Sequence, residues 1–263
     1  MEMTRVRNRM YSDYPILEFD PNPEAILSPH VDSMRGKLPE KAVLCFFQDI
    51  LQEQFTHESL SKVGNLRSEI GENPIYTASI AEHTITVLHP GVGAALAAAF
   101  LEELIAAGVS KFVVCGGCGT LVDDLPAGHL LIPESAVRDE GTSYHYLPPS
   151  RECYPSRKVI NTIEGTLEAS SIPFLEVKTW TTDAFYRETV DKRERRIREG
   201  CRVVEMEAAA LFAVAEFRRV ELGMLLYAGD LVVPAGWKDR RWAGRRDTRA
   251  LLFELALQAC LNL

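Results

Sequence analysis

From residue 42 onward, short runs of β-branched and apolar residues alternate with longer stretches of helical spacing, and a chain patterned this way has few folds open to it. AVLCFF (42–47) fits a buried strand, and DILQEQF continues with helical spacing. IYTASI (75–80) and TITVLH (84–89), separated by AEH, read as a hairpin. GVGAALAAAFLEELIAAG is predicted to be a helix bounded by Gly91 and Gly108, its alanines implying close packing on a sheet. KFVVC, HLLIP, FLEVKTW, residues 202–204 and GMLLYAG are further strands, with helices expected over 159–170, after residue 207 and over 247–261. This order predicts an α/β protein, a three-layer αβα sandwich around a mixed sheet with helices on both faces. Residues 1–40, with five prolines and little periodicity, read as an irregular N-terminal arm; 41–263 is expected to be one catalytic domain.

Composition limits what such a domain can serve. Net charge is -8, which argues against broad nucleic-acid affinity. No apolar run is long enough to cross a bilayer, and MEMTRVRNRMYSDYP lacks the apolar centre of an export signal, so no membrane partner and a cytoplasmic location are expected. The six cysteines are scattered in apolar contexts and read as reduced and buried. Cys115 and Cys118 spell C-x-x-C, but glycines follow where a redox pair would open a helix, and no second ligand pair at suitable spacing makes a zinc site, so no metal is expected.

Ligands of such sheets bind beyond the carboxyl ends of the strands, and three segments there carry chemistry. VVCGGCGTL (113–121) puts Gly116, Gly117 and Gly119 after a strand, either as an ordinary turn or as a nest of bare N–H groups for an anion. TTDAFYRET (181–189) offers Phe185 and Tyr186 to a flat ring and Arg187 to a ring carbonyl, unless the aromatics tuck into the core. VVEMEAAALFAVAE (203–216) runs from a strand into a helix of amphipathic spacing, with Glu205 and Glu207 flanking Met206. One glutamate there can cap the helix. Two, spaced to point the same way from a strand end, suit the vicinal hydroxyls of a sugar, which need an acceptor.

These segments carry a resemblance. VVEMEAAALFAVA resembles the signature of the nucleoside phosphorylase family, which takes in purine nucleoside phosphorylases, uridine phosphorylases and adenosine-derivative nucleosidases. GVGAALAAAFLEELIAAGVSKFVVCGGCGTL is similar to its helix, strand and glycine turn, TTDAFYRE to its base-stacking loop, and AGD (228–230) falls where purine-acting members carry Ser-Asp. The resemblance implies cleavage of the ribosyl C–N bond of a purine or pyrimidine nucleoside by phosphate, giving free base and ribose 1-phosphate, with no cofactor beyond inorganic phosphate as co-substrate. It implies that Glu207, Met206 and Glu205 hold the ribose, that Phe185 stacks on the base beside Arg187 and Gly117, and that Asp230 protonates a purine nitrogen, with Glu205 assisting catalysis. It implies a homo-oligomer, a dimer, trimer or hexamer, in which His30 sits where several relatives place a histidine reaching a neighbour's ribose.

Departures from the pattern concern phosphate. The family's Gly-Asp-Pro-x-x-Arg turn after the first strand is replaced by CFFQDILQE, and Val114 stands where an arginine precedes the glycines. A phosphate dianion in a nearly dry pocket needs paired charge or several donors. Gly116, Gly117 and His89 are candidates for that task, with Arg138 and the basic residues of 240–249 behind them. The alternatives are a hydrolytic nucleosidase using water, or a catalytically silent nucleoside-binding protein. The loop RDEGTSYHY (138–146) is read as pocket lining or surface, and DKRERRIRE (191–199) as a solvated helix face.

Overall fold

The protein is described by a computed structural model over residues 12–29, 31 and 34–263; His30 lies outside the described residues. Its strands are β1 (Lys41–Cys45), β2 (Leu60–Ser68), β3 (Gly71–Ile80), β4 (His83–Leu88), β5 (Lys111–Thr120), β6 (Leu130–Asp139), β7 (Glu152–Cys153), β8 (Phe174–Thr182), β9 (Cys201–Glu205), β10 (Glu221–Val233) and β11 (Gly236–Lys238). The helices are α1 (Gln48–Thr56), α2 (Ala94–Ala107), α3 (Arg157–Ala169), α4 (Val190–Arg198), α5 (Ala208–Arg218) and α6 (Arg246–Leu261). All strands join one mixed sheet of order β11-β10-β6-β8-β9-β5-β1-β4-β3-β2, with β7 beside β6.

A further pairing of β10 with β5 closes β5, β10, β6, β8 and β9 into a ring, from which β1, β4, β3 and β2 extend as a flange. β5 makes the closure possible. Its first half, Lys111–Cys115, pairs in parallel with β1, whereas Gly119 and Thr120 pair antiparallel with β9. Residues 116–119 are therefore strand, not the turn expected from the glycines, and none of these glycines has positive φ. What the missing side chains supply is room. A Cβ on Gly116 would stand 3.2 Å from the Phe46 ring, one on Gly117 3.0 Å from the Tyr227 ring, and one on Gly119 3.1 Å from Val204. The anion nest, which needs alternating-handed backbone, is not formed.

The three layers expected from the alternation are present. On one face, α2 and α5 bring Phe100, Leu101, Leu104, Leu211 and Phe212 against Leu44, Phe112 and Val114 of the sheet. On the other, α1, α3 and α6 pack Ile50, Val159, Ile163, Leu252 and Phe253 against Val43, Val87, Val113 and Leu225. α5 differs from its amphipathic expectation, because Ala208, Ala209, Ala210, Leu211, Phe212, Ala213, Val214 and Ala215 are all buried. Small alanines let that helix lie close to both α2 and the sheet.

The charged helix α4 also departs from a purely solvated face. Arg193 and Arg196 are buried: Arg193 Nε donates to the Val232 carbonyl at 2.7 Å and its Nη2 to that of Leu121, while Arg196 lies over the Trp180 ring and pairs with Asp139. The six cysteines are free and buried, and burial pushes the Cys118 thiol well up, so a thiolate pair is not poised there. No helix among the described residues is long and apolar enough to cross a membrane.

Candidate functional site

The carboxyl ends of β1, β4, β8, β9 and β10 converge around residues 116–119 of β5. Register brings them there: Cys45 lies opposite Cys115, Val204 opposite Gly119, Thr181 opposite Glu205, and Ala228 opposite Cys118.

Of the two glutamates, each has a different task. Glu205 ends β9, and its Oε1 accepts the hydroxyls of Thr179 (3.1 Å) and Thr181 (2.6 Å) while Oε2 accepts the N–H groups of Glu207 (2.7 Å) and Ala208 (2.6 Å). Burial pushes its pKa up and these bonds pull it down. A carboxylate has about four acceptor directions, and here all are taken. In this arrangement Glu205 ties β8 to β9 and caps α5, whereas the sequence placed it among the groups that hold the ribose. The two side chains do not point alike either, because the chain has already turned into α5 at Glu207.

Glu207 is the free acid. It is 8% exposed, and its Oε1 accepts the Gly93 N–H at 2.6 Å, while Oε2 has no partner among the described residues. Gly93, at φ 89°, turns the backbone from β4 into α2 and aims that N–H at the acid, a conformation glycine adopts without cost. Burial, then the negative charge of Glu205, push the Glu207 carboxyl up to about 8. At neutral pH it holds a proton; a positive charge developing beside it would drive the proton off and be stabilised in return. Met206, between the two, is partly exposed.

Across β5, Asp230 accepts the Trp237 indole N–H at Oδ2 (2.6 Å), and its carboxylate lies 3.4 Å from where a Gly119 Cβ would be. Trp237 belongs to β11, an edge strand that no pattern in the sequence had marked, and is 61% exposed. Phe185, Tyr186 and Arg187 form a 3-10 turn four residues beyond Thr181. The rings of Phe185 and Tyr186 lie 4.2 Å apart and outside the core, so an exposed aromatic platform follows β8. Arg187 is exposed on the same turn.

At the end of β1, the Phe46 side chain stands beside two of the residues expected to hold an anion, Gly116 and His89. Only Phe46 and Phe47 separate β1 from α1. The Phe46 ring meets His89 edge-on at 5.9 Å and covers Gly116. His89 Nδ1 accepts the Gly91 N–H, and burial pushes its pKa down, so the imidazole is neutral at pH 7 and offers only one N–H. Arg138 is bonded to Ser143, Ser150 and the carbonyls of Leu147 and Pro148, which makes its loop a braced structure rather than a source of free charge. Arg240 donates to the Gly229 and Leu125 carbonyls, Arg246 pairs with Glu53, and Arg249 pairs with Asp49. These arginines fasten the segment before α6 and α6 itself to the body, so His89, Gly116 and Gly117 do not assemble with them as a cationic pocket.

Comparison with known proteins agrees with this fold. A family profile described as the phosphorylase superfamily matches residues 42–253. A guanosine phosphorylase of Halorubrum lacusprofundi is 29% identical over 154 residues, 59% of this chain and 64% of that protein, so the match spans just under two thirds of it. A uridine phosphorylase of Treponema pallidum is 28% identical over 223 residues, 81% of this chain and 82% of that one. Among solved structures, a purine nucleoside phosphorylase from Toxoplasma gondii in complex with immucillin-H shares the fold with a TM-score of 0.77 at 19% identity, covering 92% of this chain and 98% of that one.

Proposed function

Because this chain belongs to the phosphorylase superfamily, we propose that residues 41–263 act as one catalytic domain that cleaves the ribosyl C–N bond of a nucleoside, with water as the nucleophile. The observation that carries the first half is Glu207: a buried acid with one oxygen fixed by Gly93 and the other unbonded, at the strand ends where the family resemblance expects the ribose. Breaking the C–N bond leaves positive charge on the sugar and negative charge on the base, so an acid able to ionise beside the sugar and a group serving the leaving base divide the work. Asp230, across β5 from Glu207, would serve the base, with Phe185 stacked against it. Met206 would line the sugar's side.

Support for water comes from the Phe46 ring over Gly116 and from the neutral His89, which leave a phosphate dianion without paired charge. Phosphorolysis is the second reading; it is supported by the names of the similar phosphorylases, and it would need cations other than His89, Arg138, Arg240, Arg246 and Arg249. Base release in phosphate-free buffer separates the two. Turnover is expected to persist there and to change by less than about 2-fold when phosphate is added at millimolar concentration; absolute dependence on phosphate, with ribose 1-phosphate as product, would overturn the hydrolytic assignment.

Gly119 offers a check on Asp230. Gly119→Ala would set a methyl group against Val204 and the Asp230 carboxylate, and a displaced acid is expected to lower kcat/KM by roughly 10-fold or more. Overpacking by one methyl costs about 1–3 kcal/mol, so the variant should remain folded and its base release can be measured. Wild-type turnover in the folded variant would remove Asp230 from the scheme.

A further inference from the structure

Trp237 has no part in that scheme, and the fold gives it little packing to do. Its strand, β11, is three residues long and exposed throughout, and the ring itself stands mostly in solvent. An exposed indole at a sheet edge removes too little apolar surface from water to be explained by stability. What the position supplies is one directed N–H. The turn through Pro234 and Ala235 folds β11 back on β10 with Trp237 opposite Val232, which makes Asp230 its diagonal neighbour, within reach of a long aromatic side chain. From there the indole Nε1–H donates to Asp230 Oδ2 at 2.6 Å.

The main chain around Asp230 is already pinned. Arg240 Nε donates to the Gly229 carbonyl at 2.8 Å, the Thr120 hydroxyl to the carbonyl of Asp230 itself at 2.9 Å, and Arg193 Nε to the Val232 carbonyl at 2.7 Å. With the backbone held on both sides, the freedom left to the acid is rotation of its side chain. Gly119, which faces the carboxylate, has no side chain to bond it, and Oδ1 has no hydrogen-bond partner among the described residues. The Trp237 N–H is therefore the bond that sets the orientation of the carboxylate. We infer that Trp237 is a positioning residue of the nucleoside-cleaving reaction: by holding Oδ2 it fixes the rotation of Asp230 and leaves Oδ1 as the oxygen presented to the leaving base. This rests on the role given to Asp230 above and deepens it. A group held in its reacting orientation spares the transition state the entropy of finding it.

Trp237→Phe tests the inference, because it keeps an aromatic ring on the edge strand and removes the N–H. Base release from adenosine, guanosine and uridine is measured for the wild type and the variant, together with nitrophenolate release from p-nitrophenyl riboside. Nitrophenolate departs without a proton, so Asp230 has no leaving base to serve in that substrate. On whichever nucleoside the wild type cleaves, the variant is expected to lose roughly 10-fold or more in kcat while KM changes by less than about 3-fold, the pattern of a contact that matters in the transition state. Its rate on the nitrophenyl riboside should stay within about 2-fold of the wild type. Its Tm should stay within about 2 °C, since an exposed side chain has been changed. Nucleoside turnover within about 2-fold of the wild type, an equal loss on both kinds of substrate, or a fall in Tm that accounts for the lost activity would overturn the assignment. Failure of the wild type to release base from any of the three nucleosides is a separate result: it sinks the nucleoside-cleaving reading, and this role with it, before the variant is compared.

Discussion

Glu207→Gln should lower kcat/KM for base release by roughly 10²–10³-fold, the range typical of removing one preorganised electrostatic contact to a charge that forms in the transition state. The amide keeps the shape and can still accept the Gly93 N–H, so the loss isolates the ability to ionise. In the wild type, kcat/KM should rise with pH through about 8, as the carboxyl sheds its proton, and the variant should be flat over the same interval. Stability should respond in the opposite sense. The folded-state pKa is raised above the usual carboxylate range, so the stability linked to the protonated form is complete at acid pH and is lost as pH rises through about 8. Glu207→Gln cannot ionise; its Tm should match the wild type near pH 5 and exceed it at pH 9. A variant that loses Tm at every pH, with activity falling only in proportion to the unfolded fraction, would make the acid structural.

Glu205→Ala should fail for the reverse reason. Removing the carboxylate strands two buried hydroxyls, on Thr179 and Thr181, and two N–H groups at the start of α5. Unsatisfied buried donors and a lost cap together cost about 3–5 kcal/mol after relief of the buried charge. In a chain of this size that is a fall in Tm of roughly 6–15 °C. Thermal melts by circular dichroism measure it, and kcat of the surviving folded fraction should stay within about 3-fold of the wild type. A Tm near the wild-type value with kcat reduced a hundredfold would move Glu205 back among the groups that touch substrate.

Two acids two residues apart are thus expected to divide into a girder and a reactive group, and nothing in the string EME separates them. Their type and neighbourhood were legible, because paired carboxylates between an apolar strand and an alanine-rich helix need an explanation. Which one stays free was not, since it depends on Thr179 and Thr181 in the preceding strand and on the N–H of Gly93. The layer order was legible for the same reason that helices were: alternation with period 2 and then 3.6 survives any detail of pairing. The ring was not, because closure rests on β10 meeting β5 across more than a hundred residues. The glycines misled in an instructive way. Their signal was real, but it marked crowding by Phe46, Tyr227 and Val204, and a single sequence cannot tell room for a neighbour from freedom to turn. Trp237 was not legible because its meaning comes only from Asp230, whose carboxylate its indole N–H reaches.

The late arrival of β10 has a consequence for how the chain is made. During synthesis β5 emerges about a hundred residues before the strand that will cover its flank along Lys111 to Cys118. Until then one of the most apolar segments of the molecule has a bare edge, the kind of template on which chains stick to one another. Nascent copies crowded on a ribosome queue would share that exposure. The interval between the appearance of residue 120 and that of residue 233 is therefore when this edge is open to misassociation.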